Sequence, residues 1–410
     1  MRQDKHSLSL AFVAPRYGED IVGGSEAVMA EAAHGLAQRG HSVEVLTTCA
    51  KSHFSWANEF PEGSFSDGAL HVRRFKTVTK RRRIAVSEIE ERLSRGELLT
   101  KDQEDIWLNE RFKVPGLYLY LLSQKNRYDA VVFSPYLFWS TLACSGLAKE
   151  KSVIMPCLHD EPYAWLDVVK ATLTDAALLW FLSEPEHQLG HRVAPEMSPL
   201  HDVVGAAVNI PDAYVPGKFM SDHGLKRPFI LYAGRREEGK GWNDLLKSFA
   251  AAVATQRFDI DLVTIGVGNP QIPESLKHRV IDLGYVSAAE MPHAFSAALA
   301  LVQPSKNESF SRTIMEAWLA KTPVIAYSRG EVVTWHCERS KGGLTYADQF
   351  ELTECLNLIA TNKELARQLG ENGHAYVLSN YTWEKVLDRM ENSLLSLYLA
   401  NKLSYTKRSL

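Results

Sequence analysis

Apolar residues along this chain gather into short, nearly continuous runs, each followed by a stretch of helical periodicity. The runs LSLAFVAP (8–15), VEVLTT (43–48), DAVVFSP (129–135), SVIMPCLHD (152–160), ALLWFLS (177–183) and HDVVGAA (201–207) form a first set. A strand covered on both faces of a parallel sheet reads this way, because neither face alternates with polar residues. Between the first two runs lies SEAVMAEAAHGLAQRG, an alanine-rich helix stopped at Gly40. Strand, glycine-containing turn, helix and strand make a βαβ unit. Segment 208–228 breaks the pattern with three prolines and two glycines, and it reads as a linker. A second set follows: FILYAG (229–234), a helix from about Trp242, LVTIG (262–266), VIDLG (280–284), LALVQPS (299–305), a helix from about Ser311, and PVIAYS (323–328).

The expected fold class is therefore α/β, with two Rossmann-like, doubly wound domains. Residues 1–210 form the first, joined by a returning C-terminal helix at about 384–410, and residues 211–383 form the second. Such sheets bind ligands beyond the carboxyl ends of their strands, so the loops that follow the strands are where chemistry is sought, facing a cleft between the two domains. No fixed-period repeat is visible.

Composition narrows the function without naming it. The 410 residues suit two domains, and 45 % hydrophobic with 23 % charged residues is ordinary for a soluble globular chain. A net charge of −3 argues against nucleic-acid binding by composition. No apolar run approaches the ~18 residues a membrane span needs. The beginning MRQDKHSLSLAFVAP does not resemble a secretory signal, and five scattered cysteines without a C-x-x-C read as reduced core thiols of a cytoplasmic protein.

Four loops carry candidate chemistry. Gly23 and Gly24 lie between the first strand and the first helix, where a bare backbone and free helix amides can admit an anion or simply make a turn. In AGRREEGKG (233–241), Arg235 and Lys240 follow a strand in a glycine-rich loop; a guanidinium fork and an ammonium point charge together suit a diphosphate. The neighbouring Glu237 and Glu238 are equally placed to neutralise them. In ESFSRTIME (308–316), Ser311 is a good N-cap type, and the amides around Arg312 and Thr313 can hold a phosphate. Glu308 then precedes that phosphate, and Glu316 follows roughly 7 Å along the helix at about 1.5 Å per residue. Each carboxylate can accept from a diol, although a glutamate in a first helical turn is also favoured by the dipole alone. RRFKTVTKRRR, Arg73 to Arg83, carries seven basic residues in eleven; it is either a solvated strand end and loop or a patch for anionic membrane. DID (259–261) looks like a metal-binding D-x-D but opens a strand instead of closing one, so no metal is expected there. The charged, irregularly amphipathic segment 84–114 reads as a helical insertion.

Taken in order, GGSEAV, LHDEP, AGRREEGKG, PSKNESFSRTIMEAWLAKTPVIA and YTWEKV resemble the GT-B glycosyltransferases of the large retaining family 4, glycosyl transferases group 1, over about residues 8 to 390. The resemblance implies metal-independent transfer of a sugar from a nucleoside diphosphate sugar, most often a UDP- or GDP-sugar, with retained configuration, to a glycan, lipid-linked or small-molecule acceptor. It implies that Arg235 and Lys240 hold the diphosphate, with Ser311, Arg312 and Thr313 around it, that Glu308 contacts the donor sugar and Glu316 the ribose, and that Gly24 approaches the diphosphate or acceptor. His159 in LHDEP matches the histidine that touches the donor sugar near the reacting carbon, and the backbone at Tyr285 and Val286 matches the segment that meets the base. No cofactor or metal is implied, and the basic run becomes a docking patch for an acidic membrane face or acceptor. Two departures stand out: Ser311, followed by bulky Arg312, stands where many relatives have glycine, and YSRGEV has one glycine where relatives often have two. A sugar-nucleotide epimerase, a phosphorylase and a non-catalytic sugar-binding module share the architecture.

Overall fold

The structure, a computed structural model, describes residues 7–19, 21, 23–79, 83–255 and 257–408. They form two compact units, 1–205 with 386–410, and 206–385.

The first unit is built on an eight-stranded sheet of order β3-β4-β2-β1-β5-β6-β7-β8. Its strands are β1 Ser9–Val13, β2 Ser42–Thr48, β3 Gly63–Asp67, β4 Leu70–Phe75, β5 Ala130–Phe133, β6 Ser152–Ile154, β7 Leu178–Phe181 and β8 His201–Val203. All neighbours pair parallel except β3, which lies antiparallel on β4. The continuous apolar runs are buried on both faces, as in β5 and β7, where every residue is buried. The helix Gly24–Gln38 covers β1 and β2 through Val28, Met29, Ala32, Ala33 and Leu36, a stripe at helical spacing. β3 and β4 were not legible as strands, because β4 carries Arg73 and Arg74 in its pattern LHVRRF and β3 is almost wholly exposed.

Segment 84–114 is helical, Arg83–Ser94 and Lys101–Glu110, and it buries Ile89, Leu93, Trp107, Phe112 and Val114 in the core of the first unit. The last helix, Trp383–Arg408, packs on this unit from Val386 onward. Its Met390, Leu394 and Leu397 are buried, Ser393 Oγ accepts from Trp180 Nε1 at 3.0 Å, and Asp388 and Glu391 hold Arg39 at 2.7 and 2.8 Å.

One buried acid fastens two loops of this unit. Ser183 caps the helix Glu184–Val193, and Glu186 in its first turn turns its carboxylate back into the protein. There it accepts from the backbone N–H of Leu158 at 2.7 Å and of Leu182 at 2.5 Å. Burial pushes the Glu186 carboxyl up to about 8, against the pull of those N–H groups.

The second unit has six parallel strands, β9 Phe229–Ala233, β10 Asp261–Ile265, β11 Val280–Gly284, β12 Ala300–Gln303, β13 Val324–Tyr327 and β14 Gly343–Tyr346, in the order β11-β10-β9-β12-β13-β14. This is the doubly wound order, with the central strand first in sequence. β14, a four-residue edge strand opening on glycine, escapes a search for apolar runs. The stretch read as a linker also holds a helix, Pro216–Asp222, started by a proline at its first position and anchored by buried Phe219. The strand-opening Asp259 and Asp261 are spent on arginines: Asp261 accepts from Arg227 Nη1 at 2.9 Å, and Asp259 pairs with Arg279.

Two stability predictions follow from this architecture. A carboxyl whose folded pKa lies near 8 and whose unfolded value lies near 4.5 holds a proton only when folded between those limits, so it weakens the fold as pH rises through that window. Unfolding measured against pH should therefore move in favour of Glu186→Gln over the parent by up to ~1.4 kcal/mol per pH unit between about pH 5 and 8; a constant difference would place the titration elsewhere. Gly241 has φ +70° and a Cβ there would sit 2.3 Å from the Pro304 carbonyl oxygen. Gly241→Ala should cost on the order of 2–4 kcal/mol in urea unfolding, from backbone strain and overpacking together, and a cost below about 1 kcal/mol would show that the loops are not locked.

Candidate functional site

The strand order of the second sheet turns around between β9 and β12, and ligands bind such sheets beside that turning point. The loop 234–241 leaves β9 and the loop 304–311 leaves β12. Backbone contact at glycines sets their spacing. A Cβ on Gly241 would meet the Pro304 carbonyl, one on Gly330 would lie 2.5 Å from the Ser305 carbonyl, and one on Gly266 would lie 2.1 Å from the Gly234 carbonyl. Buried Arg236 secures the first loop from below, with Nε donating to Thr264 Oγ1 at 3.2 Å and the guanidinium pairing with Asp282 at the end of β11. Its neighbour Arg235 points outward, half exposed, and pairs with Glu237 at 3.1 Å.

Loops held this closely bring together two residues that stand 68 positions apart. Lys240 Nζ lies 2.8 Å from Glu308 Oε1 and 3.4 Å from the Asn307 carbonyl oxygen, with both side chains mostly shielded from solvent. The sequence pointed to each residue separately, one for a diphosphate and one for a sugar. The structure pairs them, so the cation is already oriented by the carboxylate.

Ser311 precedes the helix Arg312–Leu319, as expected, but its hydroxyl does not cap it. Its φ is +68°, in the left-handed region that glycine enters without strain. The buried hydroxyl accepts from Gln303 Nε2 at 2.8 Å, tying the helix start to the end of β12. Ser311 makes no side-chain cap, and Arg312 and Thr313 open the helix. Thr313 and Glu316 are partly exposed on the same helix. After β11, Tyr285 is 68 % exposed whereas Val286 is buried.

In the first unit, β6 is followed by the loop that carries His159. His159 Nδ1 lies 3.7 Å from Glu161 Oε1, and that same oxygen accepts from the Tyr136 hydroxyl at 2.7 Å. Tyr136 follows β5, so two adjacent strand ends converge on Glu161. Burial and the Glu161 charge hold the Tyr136 phenol well above its ordinary range, so it stays a donor. The Leu158 N–H bond to Glu186 fixes the backbone one residue before His159. Glu161 lies in the LHDEP stretch and was readable as part of it; Tyr136 and Glu186 carry no sequence signal of their own.

Gly24 opens the helix Gly24–Gln38, and a Cβ there would meet nothing within 4 Å. Gly23 has the tighter requirement: its Cβ would lie 2.3 Å from Glu26 Oε2. Glu26 is buried, takes Arg16 Nη2 at 2.5 Å and Ser25 Oγ at 2.8 Å, and fills the space over this first turn with its own carboxylate.

The basic run divides. Arg73 pairs with buried Glu44 at 3.2 Å and lies over the Tyr120 ring, Arg74 stacks on Phe60 and Phe65, and Lys76 lies 3.5 Å from Glu62. Lys80, Arg81 and Arg82 lie outside the described residues. Among the described residues no helix is long and apolar enough to cross a membrane, and all five cysteines are buried free thiols.

Comparison with known proteins agrees with this geometry. Residues 218–376 match the family model described as Glycosyl transferases group 1. A stretch of 111 residues is 31 % identical to 2-deoxystreptamine glucosyltransferase of Streptomyces kanamyceticus, covering 25 % of this chain and 28 % of that protein; the matched segment thus spans under a third of that relative's length. Among solved structures, sucrose-phosphate synthase of Thermosynechococcus elongatus superposes with a TM-score of 0.73 at 18 % identity, covering 96 % of this chain and 100 % of that one. HepE of Anabaena, solved with UDP and glucose, superposes with a TM-score of 0.68 at 16 % identity, covering 95 % and 100 %. With two Rossmann-like sheets, the chain has the GT-B fold, and residues 218–376 of its second unit are similar to the glycosyl transferases group 1.

Proposed function

We propose that this protein is a retaining glycosyltransferase that moves a sugar from a nucleoside diphosphate sugar to a glycan, lipid-linked or small-molecule acceptor without a catalytic metal. The observation that carries the reading is the Lys240–Glu308 pair at the turning point of the second sheet, beside the start of the helix Arg312–Leu319. An ammonium, a guanidinium from Arg235 and backbone amides at 311–313 form an anion site for the two phosphates. Glu308, held by Lys240, presents its remaining acceptor capacity to sugar hydroxyls, and Glu316 is assigned to the ribose. His159 takes the donor-sugar contact that the LHDEP resemblance gives it, and Gly24 and the backbone of Val286 keep their assigned places at the diphosphate or acceptor and at the base. UDP is the first donor base to test, since HepE, a structural neighbour, binds it.

In this mechanism the hard step is departure of the nucleoside diphosphate as positive charge grows on the anomeric carbon. Arg235, Lys240 and the helix start oppose the negative charge that develops on the leaving phosphate. Attack from the same face, with the leaving phosphate accepting the proton of the acceptor hydroxyl, gives retention without a protein nucleophile. A thermal-shift screen of UDP-, GDP- and ADP-sugars followed by incubation with labelled donor tests the reading. Transfer to an acceptor supports it, while epimerised donor or binding without turnover would replace it with another activity of the same architecture.

Two sets of variants test the roles. Lys240→Ala should lose on the order of 2–4 kcal/mol of transition-state stabilisation, read as kcat/KM with saturating acceptor; near-parental turnover would remove the diphosphate role. Glu316→Gln should weaken binding of the free nucleoside diphosphate about ten-fold or more, the worth of a charged hydrogen bond of roughly 1.5–3 kcal/mol. Glu308→Gln should leave that affinity nearly intact and instead lower turnover and blur the choice between sugar epimers. Calorimetric titration and donor kinetics on both variants settle the matter, and identical profiles would end the division of roles.

A further inference from the structure

Three histidines of the first unit meet where nothing in the proposed chemistry uses them. His187 and His191 stand one turn apart on the helix Glu184–Val193, and His201 opens β8, paired in register with Leu179 of β7. One ring nitrogen from each lies within 4.8 Å of the others, and the ring centroids are 4.8, 4.7 and 5.5 Å apart. Such crowding of imidazoles brings no packing gain that apolar side chains would not exceed. Two of the rings are already oriented. His187 Nδ1 lies 3.3 Å from Glu184 Oε1 and His201 Nδ1 lies 3.0 Å from the Ser198 carbonyl oxygen, which leaves Nε2 of each to face the others. A carboxylate or carbonyl on the far nitrogen is the arrangement that fixes metal-binding histidines. His187 Nε2 is buried and has no hydrogen-bond partner within the protein, and the Phe181 ring backs it at 5.2 Å.

We propose that His187, His191 and His201 bind a divalent transition-metal ion of the zinc type, with the fourth position open to water. Imidazole nitrogen suits Zn²⁺, Co²⁺ and Ni²⁺ and is a poor choice for Mg²⁺ or Ca²⁺. Nitrogens at about 2.0–2.1 Å from a tetrahedral ion stand about 3.4 Å apart, a closure that rotation of exposed His191 supplies. β8 is a three-residue edge strand, and His201 lies at its amino end, whereas the His159 loop leaves the carboxyl end of β6. The ion is therefore a staple between helix and edge strand and takes no part in transfer. It also stiffens the helix whose Glu186 holds the backbone beside His159. The spacing H-x3-H in EPEHQLGHRV is visible in the sequence, but the third ligand, ten residues further on, becomes evident only when the sheet is built.

The test is calorimetric titration of the metal-stripped full chain with ZnCl2, together with thermal unfolding in ZnCl2 or MgCl2. The parent should take up about one equivalent of Zn²⁺ and gain several degrees in Tm, as a ligand that binds only the folded state must produce, while Mg²⁺ changes nothing. His191→Ala, at an exposed position, should fold normally, bind Zn²⁺ at least about 10-fold more weakly and lose the Tm gain. His71→Ala, an exposed histidine elsewhere on the same sheet, should behave as the parent. Absence of stoichiometric uptake at about 100 µM Zn²⁺, where even a modest site would fill, or parental binding by His191→Ala, overturns the proposal.

Discussion

The second unit depends on one spatial constraint: main-chain atoms of neighbouring loops occupy the space where side chains would otherwise be. The Pro304 carbonyl sits where residue 241 would carry a Cβ, the Ser305 carbonyl does the same to residue 330, and the Gly234 carbonyl to residue 266. Four loops are thereby brought to van der Waals contact along one sheet edge. Side chains projecting from such loops inherit the fixed spacing of the backbone. The Lys240–Glu308 distance is a result of that packing more than of the attraction between the two charges, which at a partly exposed site contributes little.

The first unit uses its buried acids in two different ways. Glu26 and Glu44 are buried beside arginines, Arg16 and Arg73, with which they form ion pairs. Glu186 has backbone N–H groups for company and no cation, so burial dominates and favours the protonated form. Placement at a helix start is common to Glu26 and Glu186; the presence or absence of a guanidinium separates them. The run Arg73 to Lys76 shows the same economy from the other side, since basic residues that look like a surface patch in the sequence are half consumed by Glu44, Glu62 and aromatic faces.

Most of the sheet framework was legible because parallel strands bury both faces. Runs such as FILYAG and VEVLTT have no polar alternation to hide them, and each coincides with a strand of the structure. β3, β4 and β14 were not legible, being edge or near-edge strands with charges, glycine or exposed residues that weaken the apolar signal. The helix Pro216–Asp222 was hidden by its own starting proline and by a length of seven residues, too short to show periodicity. In the site, residue types were legible and their relations were not. Lys240 and Glu308 each stood out locally, but their pairing is a property of strand order, and the left-handed backbone at Ser311 is invisible in a residue that usually caps helices.

Strand order has a further consequence, in the timing of assembly. Lys240 and Glu308 are separated by 68 positions, and the chain runs through β10 and β11, on the far side of β9, before it returns to pair β12 with β9. Loop closure over such a distance costs entropy that only later contacts repay. The Lys240–Glu308 pair therefore cannot exist in any partly folded form of the second unit that lacks the β9–β12 ladder. A ligand held at this pair would bind the completed sheet alone, so its concentration would act on the whole unit's population of folded molecules and protect even distant segments from proteolysis.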